Sequence, residues 1–242
     1  MGVAELASAI KRGDRRALAK GITIVENGSP KGASLLDLVK PPMKCFIVGV
    51  TGPPGTGKST LVDRLTTLYR QKGLKVGVVA VDPSSPVTGG ALLGDRIRMA
   101  AHASDGGVYI RSMASRGWSG GLSKAASQAV RLMDAAGFDV VFVETVGIGQ
   151  GDIEVAGLSH AVLVLLMPGL GDEVQVSKAG LMEVGDVYVV NKSDMEGADP
   201  MVVSLLSLTK GMKSRSPSVV KVSALTGEGL DRLMVAIESI RS

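Results

Sequence analysis

Directly after the apolar run Cys45 to Val50, the chain reads Gly52-Pro53-Pro54-Gly55-Thr56-Gly57-Lys58-Ser59. A glycine, four residues and Gly-Lys-Ser between a strand and a helix make the pattern of a phosphate cradle. Glycines at 52, 55 and 57 permit a tight turn whose amides face phosphate oxygens, and the following helix adds its positive N-terminal end. In such a loop, running from Gly52 through Thr56 to Thr60, Lys58 bridges the β and γ phosphates. Ser59 offers its hydroxyl to Mg²⁺, and Thr60 reaches the α phosphate. These residues predict binding of a nucleoside triphosphate.

Two further constellations extend the reading. Phe138-Asp139-Val140-Val141-Phe142-Val143-Glu144 ends in a carboxylate and is followed by Thr145-Val146-Gly147. A carboxylate at that strand end holds a metal-bound water, and the Gly147 amide is placed to meet a γ phosphate. Asn191-Lys192-Ser193-Asp194 closes another apolar run and fits a guanine-reading pattern. Asp194 accepts from guanine N1 and N2, an edge that adenine does not present, and Lys192 lies over the ring. Ser223-Ala224-Leu225 follows a later strand and offers a backbone amide to guanine O6. The triphosphate is therefore expected to be GTP.

These groups need a scaffold that gathers loop ends. Strands are expected over Cys45 to Val50, Val76 to Val81, Val108 to Arg111, Val140 to Glu144, Ala161 to Met167, Val187 to Asn191 and Val219 to Val222. They are continuous aliphatic runs, suited to parallel strands covered on both faces, and amphipathic segments such as Leu61 to Gln71 and Leu122 to Ala136 alternate with them. The expected fold is α/β: a three-layer P-loop architecture, a mostly parallel central sheet with helices on both faces. Loops at the carboxyl ends of the strands then hold the chemistry. Leu6, Ile10, Leu18 and Ile22 recur at helical spacing before Pro41-Pro42. This divides the chain into a helical extension over 1–42 and the nucleotide-binding domain over 43–242.

Composition narrows the classes further. A chain of 242 residues, 45% hydrophobic and 21% charged, buries a sizeable core, and with 3% aromatics that core is aliphatic. The net charge of +4 comes from scattered basic residues without interleaved aromatics, so no nucleic-acid partner is expected. The lone Cys45 excludes an internal disulfide framework and reads as a buried residue. The longest apolar stretch, Ala161 to Met167, is too short for a bilayer, and no signal-like N-terminus precedes it, so a cytoplasmic protein without membrane contact is expected.

Between the strands, Asp82-Pro83-Ser84-Ser85, then Thr88-Gly89-Gly90, then Leu93-Gly94-Asp95 ahead of Arg98-Met99, resembles the methylmalonyl-CoA mutase-associated GTPases. That family formerly went under the name of arginine/ornithine transport kinases. The similarity continues through Glu144 to Gln150, Pro168 to Gln175, Asn191 to Asp194 and Ser223 to Leu230, and reaches back to Arg16–Glu26. It covers nearly the whole chain. The resemblance implies the SIMIBI branch of P-loop proteins, with GTP hydrolysis to GDP gating cobalamin delivery to, or protection of, methylmalonyl-CoA mutase or a related acyl-CoA mutase. It also implies that Asp82, Asp95 and Glu144 serve the Mg²⁺ site beside Ser59, some through water. Lys58, Asp95, Glu144 and Arg98 would carry catalysis, although an ion-pair or surface role for Arg98 stays open. Gly171-Asp172-Glu173 through Lys178 resembles a third switch, in which Asp172 and Lys178 change partners between GTP and GDP states.

Family members usually continue into a helical arm that forms a homodimer, whereas this sequence ends at Ser242 after the helix Leu230 to Ile240. A monomer and a homodimer through another surface both stay open. No residue is an obvious fast general base, Gln150 included, so slow intrinsic hydrolysis is expected. Rival readings are a nickel-insertion GTPase, for which Cys45, His102 and His160 are too few and dispersed, and a small-molecule kinase, against which Asn191 to Asp194 argues. A protein-targeting GTPase would need a Met-rich domain, while the Met residues here occupy core-like positions.

Overall fold

A computed structural model describes residues 1–40, 43–82, 100–102, 104–114, 121–145, 150–169, 181–210 and 217–241. Seven parallel strands form one sheet: β1 (Phe46–Thr51), β2 (Val76–Asp82), β3 (Val108–Ala114), β4 (Val140–Glu144), β5 (Ala161–Leu166), β6 (Val187–Val190) and β7 (Ser218–Lys221), in the order β3-β2-β4-β1-β5-β6-β7. Every expected strand is present, and every described pairing is parallel. Connecting helices are α1 (Val3–Lys11), α2 (Arg15–Glu26), α3 (Pro30–Leu38), α4 (Lys58–Gln71), α5 (Gly121–Ala135), α6 (Gln150–Leu158), α7 (Leu181–Val184), α8 (Ala198–Thr209) and α9 (Leu230–Arg241).

The three layers follow from side-chain alternation along strands that are apolar on both faces. Phe46, Val48 and Val50 of β1, with Val140 and Phe142 of β4, pack against Leu61, Val62, Leu65 and Tyr69 of α4 and against Leu233 and Ile237 of α9. On the opposite face, Ile47, Val141 and Val143 meet Ala129, Val130 and Met133 of α5. Farther along that face, Val162 and Val164 of β5 pack with Ala198 and Leu205 of α8.

Three N-terminal helices share that second core. Asp14 caps α2 by accepting the Ala17 amide at 2.8 Å, and Ala17, Leu18, Gly21, Ile22 and Val25 make the buried stripe of this helix. A Cβ at Gly21 would stand 2.8 Å from Ile10 and 3.4 Å from Leu132 of α5, so this glycine allows close helix contact. An Arg111–Glu26 ion pair of 2.5 Å joins β3 to α2, and Arg15 donates to the Asp105 and Gly106 carbonyls ahead of β3. Leu18 is 1% exposed. Leu18→Ala is expected to cost about 3 kcal/mol, read as a lower midpoint in urea, because the cavity opens inside a shared core. A loss below about 1 kcal/mol would mean that these helices lie loosely on the sheet.

Strand ends differ from expectation by about a residue, except at β3, which runs on to Ala114. Cys45 lies just before β1, where its amide and that of Lys44 both donate to Asp134 Oδ1 at 2.8 Å. It is nevertheless buried, as expected. Burial, and after it the Asp134 carboxylate, push its thiol up to about 12, so it stays protonated and inert.

Candidate functional site

With every described pairing parallel, the carboxyl ends of β1, β2, β4, β6 and β7 lie along one edge of the sheet. Strand β1 lies between β4 and β5, which the chain reaches from opposite sides, and this is where an open α/β sheet forms its crevice.

Gly52 leaves β1 with φ 135°, and a Cβ there would stand 2.2 Å from the Leu165 carbonyl of β5. Only glycine passes that point. Gly57, at φ 90°, caps α4 without any side chain, so the positive end of the helix faces the loop. A Cβ at Gly57 would meet the Asn191 amide nitrogen at 2.5 Å. The Lys58 ammonium is buried and donates to the Gly52 carbonyl at 2.7 Å and the Pro53 carbonyl at 3.1 Å. Thr56 Oγ1 also donates to the Pro53 carbonyl, at 2.9 Å. Thr60 is exposed.

Glu144 ends β4 opposite Val50 of β1 and Ala80 of β2. Its Oε1 accepts from Ser59 Oγ at 2.6 Å, a short bond between buried groups 85 residues apart. This contact joins the cradle serine to the carboxylate at the strand end. Beneath it, Thr145 Oγ1 donates to Thr51 Oγ1 at 3.3 Å. The pairing was not legible in the sequence, since the two threonines lie 94 residues apart. Asp82 closes β2 beside Ala114, and only its backbone is described. Asp95, Arg98, Gly147, Asp172 and Lys178 lie outside the described residues.

The residues expected to read the base gather next to the glycine-rich loop. Asn191 donates from Nδ2 to the Thr56 carbonyl at 2.7 Å and accepts the Ala224 amide on Oδ1 at 3.0 Å. Both ends of one buried side chain thereby tie the loop after β1 to the loop after β7. Lys192 adopts φ 58°, a left-handed conformation that is costly away from glycine and clusters at functional sites. The Ser193 amide reaches the Val222 carbonyl at 2.9 Å, and Ser223 Oγ donates to Asp194 Oδ1 at 2.7 Å. Leu225 stands 73% exposed at the tip. Arg64 of α4 donates from Nε to the Ala224 carbonyl at 3.0 Å and from an Nη to the Leu225 carbonyl at 2.8 Å. Nothing in the local pattern of α4 singles out this arginine.

Both histidines have local partners. His160 Nδ1 accepts the Ile47 amide at 3.0 Å while its ring stacks on Phe46, and His102 Nε2 lies 3.1 Å from Asp63 Oδ1. Among the described residues, no group of three or more His, Cys, Asp or Glu is placed to hold a metal ion.

The profile of methylmalonyl-CoA mutase-associated GTPases of the MeaB type matches residues 18–242. The chain belongs to this family. Among its relatives, a protein of Pyrococcus horikoshii that carries the name GTPase is 50% identical over 241 residues, covering 97% of this chain and 76% of the relative. GTPase ArgK of Escherichia coli is 40% identical, over 97% of this chain and 75% of its own length. A mouse protein named methylmalonic aciduria type A homolog, mitochondrial, is 34% identical, over 96% of this chain and 61% of its own length. The solved structure of a LAO/AO transport system kinase superposes with a TM-score of 0.78 at 32% identity, covering 99% of this chain and 74% of that one. Nickel-bound HypB from Helicobacter pylori, at TM-score 0.59 and 16% identity, shares the fold alone. The family's P-loop GTPase fold is the one observed. No helix among the described residues is long and apolar enough to cross a membrane.

Proposed function

We infer that this protein binds GTP with Mg²⁺, hydrolyses it slowly to GDP and phosphate, and uses that step as a timer. What it times is the loading of cobalamin into, or the protection of, methylmalonyl-CoA mutase or a related acyl-CoA mutase. The observation that carries the nucleotide reading is the Asn191 side chain, bonded to Thr56 of the phosphate cradle and to Ala224 of the loop beside Asp194. A guanine nucleotide spans that distance, with phosphates at one end of the link and base at the other. Family membership and the likeness to the mouse methylmalonic aciduria homolog support the mutase reading.

On this reading the amides from Gly52 to Thr60 surround the α and β phosphates, and Lys58 leaves the Gly52 and Pro53 carbonyls for the β and γ oxygens. The exchange suits a charged donor already desolvated beside the loop, since burial strengthens its bond to an anion. The Ser59 hydroxyl and Glu144 carboxylate, held 2.6 Å apart, are hard oxygen donors of the kind a small divalent cation takes. They fit Mg²⁺, with Asp82 and Asp95 completing the set, and the ion would supply charge neutralisation between the phosphates. Asp194 accepts from guanine N1 and N2 while Ser223 holds its other lone pairs in place. Arg98 stabilises phosphate charge. Loss of the γ phosphate releases Asp95 and Gly147, and Asp172 and Lys178 carry the change to the mutase.

No residue stands out in the sequence as a fast general base, so the free protein is expected to turn over on the order of 10⁻² s⁻¹ or slower, as GTPases that wait for a partner do. The test measures phosphate release from GTP and ATP, with and without Mg²⁺ and a cobalamin-dependent acyl-CoA mutase. The expected result is Mg²⁺-dependent, GTP-selective hydrolysis that rises at least tenfold with the mutase. Preference for ATP would overturn the guanine reading. Fast turnover that no mutase alters would overturn the timer.

A further inference from the structure

We propose that Arg64, on the helix behind the phosphate cradle, is a positioning residue for guanine selectivity, acting on Asp194 through the loop 223–226. The proposal deepens the guanine-nucleotide reading above and rests on it. Arg64 lies in α4, which begins at Lys58, Ser59 and Thr60, and its guanidinium donates to two successive carbonyls, those of Ala224 and Leu225. The planar fork of arginine suits two such acceptors, which a single ammonium does not match.

Peptide geometry carries the effect onward. In a trans peptide the C=O and N–H point in opposite directions, and no described peptide bond is cis. Drawing the Leu225 carbonyl toward Arg64 therefore turns the next amide, that of Thr226, away from it. That amide donates to Ser223 Oγ at 3.3 Å. With its acceptor side so engaged, the Ser223 hydroxyl donates its own proton to Asp194 Oδ1 at 2.7 Å. The same grip on the Ala224 carbonyl steadies the residue whose amide donates to Asn191 Oδ1.

Thr56, Asn191, Ala224, Arg64 and α4 thus form a closed circuit from the cradle through the base loop and back to the cradle's own helix. Arg64 is its one long, charged link. Without it, Ser223 and Asp194 remain present but lose the fixed peptide that orients them, and the recognition most exposed to that loss is the two-point contact of Asp194 with guanine N1 and N2. Hypoxanthine has N1–H but no 2-amino group, so it reports the difference.

The experiment measures dissociation constants of GDP, IDP and ADP by calorimetry for the wild type, Arg64→Met and Arg64→Lys, together with the melting temperature of each nucleotide-free protein. Arg64→Met is expected to weaken GDP about tenfold and IDP less than about threefold, lowering the GDP/IDP preference, with a melting shift below about 3 °C. Arg64→Lys should fall between, since lysine satisfies one carbonyl at a time, and it serves as the readout if the methionine variant does not fold. Equal weakening of GDP and IDP, or an unchanged ratio in a folded variant, marks Arg64 as a structural staple and overturns the proposal. A wild type that binds ADP as tightly as GDP instead removes the guanine reading from which this proposal starts.

Discussion

Asp194→Asn is expected to weaken GTP about 100-fold or more and to bring in binding of xanthosine triphosphate. On the proposed reading the carboxylate would accept from two guanine donors at once, and an amide would put an NH₂ group against one of them. Two donors would then face each other with no acceptor between them, which costs more than a missing apolar contact. Xanthine carries a carbonyl where guanine carries the amino group, so the same amide becomes a match. Ser223 Oγ, now 2.7 Å from Asp194 Oδ1, still finds an oxygen to donate to in the variant, so the loop should persist. Competition between the two nucleotides for a fluorescent GDP analogue reads the change directly. Unchanged GTP affinity would remove Asp194 from the base site.

Lys58→Ala has the other large expected effect. Its ammonium rests on the Gly52 and Pro53 carbonyls, inside the loop that would surround the phosphates. Removing one preorganised charge from a phosphoryl-transfer site lowers turnover by about 10²–10³-fold. GTP should lose more affinity than GDP, because the γ phosphate is one of the two groups that Lys58 is proposed to bridge. Single-turnover hydrolysis with saturating protein separates lost binding from lost chemistry. A variant that hydrolyses GTP at the wild-type rate would show that the cradle has another occupant. With hydrolysis lost and GTP supplied at saturation, the alanine variant should hold the proposed mutase partner longer than the wild type does, which makes it a suitable bait.

The site residues differ in how far they were legible, and the reason is the range of the interaction that defines each. Gly52, Gly55 and Gly57 are readable because left-handed or sterically crowded backbone selects glycine locally, and φ values of 135°, 80° and 90° are what such a loop demands. Asn191 to Asp194 is readable because its residue types match one base edge. The role of Asn191 as a link is not, since it depends on Thr56 lying 135 residues away and Ala224 lying 33 away. Arg64 is less legible still. Its acceptors are backbone carbonyls, 160 and 161 residues distant, and a carbonyl has no sequence signature.

By itself, the sequence determined the βα alternation, the expected strands, the glycine-rich loop after the first of them, the Asn-Lys-x-Asp string and the family. These are consequences of apolar periodicity and of short motifs whose chemistry is contained within a few residues. The tertiary structure decided the strand order β3-β2-β4-β1-β5-β6-β7, the docking of α1 to α3 into the core beside α5, the 2.6 Å meeting of Ser59 with Glu144, and the circuit through Asn191 and Arg64. Each of those joins residues far apart in the chain, and only the packing of parallel strands between two helical layers brings their loops to one edge.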